Sequence, residues 1–272
     1  MSPKVRIDQR YGCIATGSAS DAMMRVLFFP HAGGSAISLL PLASELPDGA
    51  ESLLFDLPGR GLRDAEPRRS TFDEARRALA EQVEPLVDRP AIFFGHSLGG
   101  LLCDALVRNL PADRREMVTR VIVSSAPSPR RAVAMAAAPP WPPPRRPAAD
   151  LLAHLTGYGG TPAAVFEAPD LLESVVEAFG DDMMIMDSYR LDPALPPPAA
   201  DYELWSGRED ASTAPEEPQE WAGVLARPPH ERVFPGGHFY LTDRTEARAV
   251  LRAAVDTQLR QLTSPYDQEA LT

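Results

Sequence analysis

Short apolar runs alternate with segments of helical periodicity along the first half of this chain. The runs are MRVLFFP (24–30), AESLLF (50–55), RPAIFFG (89–95) and VTRVIVSSA (118–126). They are rich in strand-forming residues and mostly apolar on both faces, which is typical of buried parallel strands. Apolar residues at helical spacing follow the first three runs, at 37–46, 71–88 and 100–110. This alternation predicts an α/β fold, a mostly parallel doubly wound sheet with helices on both faces.

The helix predicted at 71–88 carries a start signal. Thr71 stands where an N-cap is expected, and Glu74 stands three residues later. A threonine and a glutamate at this spacing form a capping box, in which each side chain bonds the other residue's backbone amide. Residues 200–210 and 230–242 resume strand character, and the pattern at 246–262 predicts a final amphipathic helix.

Prolines interrupt the alternation in the middle of the chain. The 272 residues include 29 prolines, and many of them lie in 126–147 and 191–200, where they disfavour central strands and helix interiors. The segments between have helical character. A chain of this length with 44% hydrophobic residues can form one α/β domain. We therefore predict a single domain, residues 1–272, with an inserted helical, proline-rich lid at 127–200. Three methionines in this insert, Met183, Met184 and Met186, allow two interpretations, core contacts or the lining of an acyl-chain passage.

Charge and composition argue against several classes of function. The formal net charge of −11 disfavours binding to nucleic acid. The N-terminal residues have no signal-peptide pattern, and no apolar run approaches the roughly 18 residues of a membrane span, so we expect a cytoplasmic protein without a membrane partner. The two cysteines, Cys13 and Cys103, are too few for a disulfide framework and are expected to be buried thiols.

The sequence GHSLG (95–99) is the first motif that indicates catalysis. It fits G-x-S-x-G, and it lies between a predicted strand and a predicted helix, as in the sharp turn that presents a nucleophilic serine. The glycines on either side leave room for the chain to reverse. The helix N-terminus that follows favours developing negative charge. We therefore predict that Ser97 is a nucleophile.

A serine nucleophile needs a base, and five histidines are available. His238 follows the last predicted strand and precedes the last helix, which is where the order Ser, acid, His of α/β-hydrolases places the base. His96 lies within the turn and is expected to point away from the serine side chain. His154 lies in the predicted lid, His230 lies on the way into a strand, and His31 is interpreted as anchoring a loop.

The base in turn needs a carboxylate partner, and we predict Asp210 in LWSGRED. The loop after a parallel strand lies at the same sheet edge as the serine turn. Glu209 is the nearest alternative, although adjacent residues of an extended turn point in different directions. Asp201, Asp192 and Asp187 are weaker alternatives.

Two backbone amides are required to stabilise the oxyanion of a tetrahedral intermediate. The amide of Leu98, directly after the nucleophile, is predicted to be one. The loop PHAGGS (30–35) after the first strand is predicted to supply the other, from Ala32, with Gly33 as the second choice. This chemistry requires no metal and no redox cofactor.

Several longer motifs occur together in one order: LFFPHAGGSA, DLPGRG, FFGHSLGG, SGRED and FPGGHFYL. In this they resemble the type II thioesterases that accompany polyketide synthases and nonribosomal peptide synthetases. The resemblance runs from about Val26 to the last helix. It implies an α/β-hydrolase fold with a helical lid and a triad of Ser97, Asp210 and His238. One departure is Asp56-Leu57, where the family usually has a Gln-Tyr or similar pair before PGR, and it bears on chain selectivity rather than on the triad.

The resemblance also implies an activity, the hydrolysis of acyl groups from the phosphopantetheine thiol of acyl or peptidyl carrier proteins. A small-molecule esterase or acyltransferase on the same fold is the alternative, because a triad does not dictate the leaving group. A hydrolase-fold protein that only binds carrier proteins is a third. The basic sequences PRR (129–131) and RR (145–146) are either carrier contacts or solvated loops.

Overall fold

An eight-stranded sheet forms the centre of the protein. The computed structural model describes residues 5–136, 142–213, 217–243 and 245–263. The strands, numbered β1 to β8 in chain order, are Arg6–Asp8, Cys13–Thr16, Met24–Phe29, Ala50–Phe55, Ala91–His96, Val118–Ser124, Asp201–Gly207 and His230–Phe234. Their spatial order is β1-β2-β4-β3-β5-β6-β7-β8.

The sheet is parallel from β4 to β8, and the predicted fold class is confirmed. Strand β3 lies between β4 and β5, and both pairings are parallel. Strands β1 and β2 form an antiparallel hairpin that extends the sheet past β4, with Cys13 opposite Phe55. The sequence did not predict this hairpin, because its strands are short and the first is partly exposed.

Helices cover both faces of the sheet. The α-helices, α1 to α10 in chain order, are Leu40–Ala43, Phe72–Val83, Leu98–Asn109, Ala112–Met117, Pro129–Met135, Ala148–Tyr158, Ala163–Phe166, Pro169–Asp187, Glu217–Ala222 and Thr245–Thr263. Along β3, Leu27 and Phe29 join one hydrophobic cluster with residues of α2 and α3. Val26 and Phe28 join a second cluster with residues of α1 and α10. Successive side chains of a strand point to opposite faces, so an all-apolar strand packs both layers.

Two predicted helices differ from their expected bounds. Helix α2 begins with the predicted capping box of Thr71 and Glu74, but it ends at Val83, and a 3₁₀ turn containing Pro85 follows. Proline lacks the amide that would continue the helix. The segment predicted as a helix at 37–46 is a 3₁₀ turn at Ala36–Leu39 followed by the short α1.

The segment between β6 and β7 contains α5 to α8 in its described part. Helix α5 lies within a proline-rich stretch, where we expected no helix interior; Pro129 is its first residue, the position at which proline is tolerated. Part of this stretch, 137–141, lies outside the described residues. The role of 127–200 as a lid, like the single-domain organisation, remains a prediction.

The two cysteines are free and buried. Burial raises the pKa of Cys13 to about 12 and that of Cys103 well above its ordinary value, so both are protonated thiols at neutral pH. Among the described residues, no helix has the length and apolar character needed to cross a membrane.

A buried carboxyl joins α5 to α9 and makes stability depend on pH. Glu217 accepts a 2.6 Å hydrogen bond from the Ser128 amide and lies 3.2 Å from Arg131. Burial, with a contribution from Glu220, raises the pKa of Glu217 to about 7. A carboxyl with a raised pKa binds more protons in the folded than in the unfolded state, so stability falls as pH rises from about 4.3 toward 7.

We therefore expect Glu217→Gln to become more stable relative to wild type as pH rises. The difference in Tm between variant and wild type should grow from about pH 4.5 to 7.5 and then level off. Thermal unfolding followed by circular dichroism at several pH values measures it. A pH-independent difference would show that Glu217 does not titrate in this range.

Candidate active site

Ser97 lies in a sharp turn between β5 and α3. Its φ is 55°, a left-handed conformation uncommon for a residue other than glycine. The turn is held by backbone contacts, because the Ser97 amide donates a 2.7 Å hydrogen bond to the Ser124 carbonyl. A Cβ at Gly95 would lie 2.1 Å from the Gly99 carbonyl oxygen. The chain can therefore reverse here only with glycine at position 95.

The predicted oxyanion donors come from the two loops that meet at this turn. A Cβ at Gly99, in the first turn of α3, would lie 2.1 Å from the Phe29 carbonyl oxygen and 2.7 Å from that of Pro30. The end of β3 and its loop therefore pack directly against the start of α3. Leu98 is the first residue of α3, where an amide has no intrahelical partner.

The loop also distinguishes Ala32 from Gly33 as the second donor. The Gly33 amide donates a 2.6 Å hydrogen bond to Oδ2 of Asp182, on α8. The Ala32 amide has no acceptor within the described parts of the chain. Of these two residues, Ala32 is therefore the one whose backbone amide can donate to a ligand.

Asp210 and His238 lie on the loops after β7 and β8, and the structure brings them together. His238 Nδ1 lies 3.0 Å from Asp210 Oδ2, and both side chains are buried. The loops touch closely, because a Cβ at Gly207 would lie 2.1 Å from the Gly237 carbonyl oxygen. Burial by itself would raise the pKa of Asp210, but the hydrogen bond and charge of His238 hold it well below its usual range. Asp210 is therefore ionised beside the imidazole.

Ser212 is part of this arrangement and was missed from the sequence. Its hydroxyl donates a 2.6 Å hydrogen bond to Asp210 Oδ1 and lies 2.9 Å from His238 Nδ1. Its amide also donates to Asp210 Oδ1, at 2.9 Å. An aspartate that accepts from the amide two residues later forms an Asx turn, so the D-x-S spacing was the available signal.

The surroundings of His238 connect it to the serine turn. The His96 ring, next to Ser97 in the chain, lies 5.0 Å from the His238 ring between centroids. Tyr158, from α6, stacks on the His238 ring with centroids 4.6 Å apart. Ser97, Asp210 and His238 therefore come from one edge of the sheet.

The other histidines have different partners. His96 Nδ1 lies 2.9 Å from the Ser124 hydroxyl, and burial lowers the pKa of His96 well below its ordinary value. Burial also lowers the pKa of His31, to about 4, and its Nδ1 lies 2.9 Å from the Ala32 carbonyl. His154 is half-buried on α6, and His230 is exposed at the start of β8. Within the described chain, His238 is the histidine that hydrogen-bonds a carboxylate.

The carboxylates considered as alternatives to Asp210 have other hydrogen-bond or ion-pair partners. Glu209 accepts a 2.6 Å hydrogen bond from the Gly236 amide. Asp187 pairs with Arg146, Asp201 pairs with Arg227, and Asp192 accepts from the Ala194 amide. Within the described chain, none of these carboxylates hydrogen-bonds His238.

Two cavities adjoin Tyr158, and one of them also adjoins His238. One, of about 270 Å³, is mainly apolar, and its lining includes Ala32, Leu155, Tyr158, Phe179 and Phe239. The other, of about 520 Å³, is more polar and is lined by Tyr158, Asp210, Ser212 and His238 among others. Tyr158 lines both cavities.

The methionines of α8 line neither cavity. Met183 belongs to a hydrophobic cluster, and Met186 packs against that cluster. Of the two interpretations of these residues, core contact therefore fits Met183 and Met186, while Met184 is half-buried.

Sequence similarity to known proteins identifies the family of this chain. The Thioesterase domain family matches residues 24–256. The chain belongs to this family. A probable cadicidin biosynthesis thioesterase of Streptomyces griseus is 29% identical over 248 residues, 89% of this chain and 63% of that protein. Thioesterase PikA5 of Streptomyces venezuelae is 29% identical over 232 residues, 83% of this chain and 78% of that protein.

Solved structures show the same fold. The type II thioesterase BorB from the borrelidin biosynthetic cluster superposes with a TM-score of 0.72 at 25% identity, covering 88% of this chain and 95% of that one. The resemblance read from the motifs and the α/β-hydrolase fold are thereby confirmed. The chain spans less than two thirds of the length of the cadicidin relative.

Asp56, where the motif departs from the family's usual pattern, has a structural role in this chain. Asp56 is buried and accepts hydrogen bonds from the Ala36 amide at 2.7 Å and from the Leu62 amide at 3.0 Å. It therefore links the loop after β3 to the PGR turn after β4.

The arginines considered as carrier contacts are all engaged within the chain. Arg131 pairs with Glu217, and Arg130 donates to the Gly223 carbonyl. Arg145 pairs with Asp181, and Arg146 pairs with Asp187. A carrier contact through these side chains would have to compete with those partners.

Proposed function

We propose that this thioesterase hydrolyses acyl thioesters on the phosphopantetheine arm of acyl or peptidyl carrier proteins. Its role would be to remove stalled or misprimed units in polyketide or nonribosomal peptide biosynthesis. The observation that carries the proposal is the buried Asp210–His238 pair at the same sheet edge as Ser97. A relative named for cadicidin biosynthesis and a structural relative from the borrelidin biosynthetic cluster support a biosynthetic role. A cytoplasmic location is part of the proposal.

The proposed first half-reaction acylates the enzyme. Ser97 Oγ attacks the thioester carbonyl while His238 Nε2 takes the serine proton. The amides of Leu98 and Ala32 hold the oxyanion of the tetrahedral intermediate. Collapse of that intermediate breaks the carbon–sulfur bond, and His238 returns the proton to the departing pantetheine thiol.

The second half-reaction releases the acid. His238 takes a proton from water, the resulting hydroxide attacks the acyl-serine ester, and the proton passes to Ser97 as the free acid leaves. Asp210 holds the imidazole with its Nδ1–H toward the carboxylate and stabilises the imidazolium. Every group in these steps comes from the chain, the substrate or water, so the proposal includes no metal and no redox cofactor.

Substrate comparison tests the leaving group. One acyl group is presented as a carrier-protein thioester, as a soluble pantetheine thioester and as a soluble ester of the same acid. We expect kcat/KM to be about 100-fold higher for the carrier-bound form than for the ester, because contacts with the carrier lower the transition-state energy. A panel of carrier-bound acyl lengths then defines selectivity.

The other outcomes each identify an alternative. Equal or better turnover of the soluble ester would make the protein a small-molecule esterase. Transfer of the acyl group to an added nucleophile in preference to water would make it an acyltransferase. Carrier binding without turnover would leave only the non-catalytic interpretation.

A further inference from the structure

Asp182 is a buried carboxylate on α8 that the proposed mechanism does not use. Its side chain is fully buried, and its Oδ2 accepts a 2.6 Å hydrogen bond from the Gly33 amide. Both carboxylate oxygens also accept hydrogen bonds from the guanidinium of Arg60. A paired carboxylate in this position is a rigid link between the helical insert and the loop after β3.

Arg60 extends the link to a second point of the same loop. It donates a 3.2 Å hydrogen bond to the Gly34 carbonyl. Arg60 lies in a tight turn in which Gly59 and Gly61 have φ of 85° and 52°, and Asp56 binds both this turn and the Ala36 amide. The loop is thus held at the Gly33 amide, the Gly34 carbonyl and the Ala36 amide.

Packing on α8 reinforces the contact. Gly33 has a φ of 73°, and a Cβ placed there would lie 3.3 Å from the Cβ of Phe179, one helical turn before Asp182. Helix α8 therefore rests directly on the loop. A side chain larger than hydrogen at Gly33 would strain the backbone and crowd Phe179.

The charges in this contact bear on the Ala32 amide. Asp182 is bonded to the amide next to that of Ala32. Without a counter-ion, its negative charge would oppose the negative charge of an oxyanion held by the Ala32 amide. Arg60 offsets that charge. Burial raises the pKa of Asp182, while Arg60 and the Gly33 amide act in the opposite direction.

We propose that Asp182, paired with Arg60, is a positioning residue that holds the loop so that the Ala32 amide faces the reacting carbonyl. The inference rests on the proposed function, since it takes Ala32 as an oxyanion donor. It gives α8, part of the predicted lid, a role in assembling the site. Neither the serine turn nor the Asp210–His238 pair contains this contact.

The test compares three variants in the full-length protein. Asp182→Ala removes the acceptor for the Gly33 amide, whereas Asp182→Asn keeps an oxygen that can accept that bond. Asp181→Ala is the matched control, because the adjacent Asp181 pairs with Arg68 and Arg145 and not with the loop. The readouts are kcat and KM for thioester hydrolysis, the rate of Ser97 labelling by a fluorophosphonate, and Tm.

A displaced oxyanion donor should slow both reactions. We expect Asp182→Ala to lower kcat and the labelling rate by about 10- to 100-fold with KM changed less than about threefold. Asp182→Asn should recover most of the loss, and Asp181→Ala should stay within about twofold of wild type. Rates are expressed per folded enzyme, measured well below the Tm of each variant.

The outcomes separate this inference from the proposed function. If Asp182→Ala lowers Tm but labels at the wild-type rate per folded enzyme, Asp182 is only structural and the inference is wrong. An equal loss in Asp182→Ala and Asp182→Asn would also overturn it. Fluorophosphonate labelling needs no carrier protein, so failure of wild type to hydrolyse carrier thioesters would refute the proposed substrate while the labelling comparison still judges Asp182.

Discussion

Ser97→Ala is expected to lower kcat for carrier-bound thioesters by about 10⁴- to 10⁶-fold, because the variant has no nucleophile to form the acyl-enzyme. The fold should be unaffected. The turn is held by the Ser97 amide and carbonyl, which bond Ser124 and Gly100, and an alanine backbone makes both bonds. We expect Tm to stay within about 2 °C of wild type. Release of the labelled acid from a loaded carrier measures kcat.

A serine remote from the site provides the control. Ser44, directly after α1, has no part in the proposed mechanism, and its hydroxyl donates a 3.4 Å hydrogen bond to the Pro41 carbonyl. Ser44→Ala should retain wild-type kcat. If Ser97→Ala kept more than about 1% of wild-type turnover, the nucleophile would have to be another residue.

Asp210→Asn is expected to lower kcat by about 10³- to 10⁴-fold. An asparagine amide can donate to His238 Nδ1, which favours the tautomer with its proton on Nε2. That tautomer cannot take a proton from Ser97. The measurement is single-turnover acylation, since the serine proton must move in that step.

Glu209→Gln is the matched control for the acid. Glu209 accepts from the Gly236 amide, and a glutamine oxygen can do the same, so kcat should stay within about threefold of wild type. If instead Glu209→Gln were inactive and Asp210→Asn were active, the acid would be Glu209.

The lowered pKa of Asp210 determines how its contribution to folding stability changes with pH. A carboxyl with a lowered folded-state pKa stabilises the protein above its unfolded pKa of about 3.9, and the contribution is lost as pH falls toward the folded value. The stability difference between wild type and Asp210→Asn should therefore be constant above about pH 5 and shrink in more acidic solution. Thermal unfolding at a series of pH values measures it alongside the kinetics.

Local sequence signals were sufficient for much of the fold. The capping box of Thr71 and Glu74 involves residues three positions apart, and it begins α2 as expected. The runs that became β3 to β6 are apolar enough to indicate strands from their own composition. The hairpin of β1 and β2 was missed because its pairing depends on β4, about 40 residues away along the chain.

The sequence by itself determined the strand order along the chain, the serine turn and the positions from which an acid and a base are presented. These follow from short-range patterns, since a G-x-S-x-G turn needs only its own strand and helix. Only the tertiary structure decided which carboxylate meets His238, that Ser212 joins it, and that Asp182 of α8 holds the Gly33 amide. The last of these contacts joins residues 149 positions apart. Contacts at that separation arise from packing of the helical insert on the sheet edge, which no local pattern encodes.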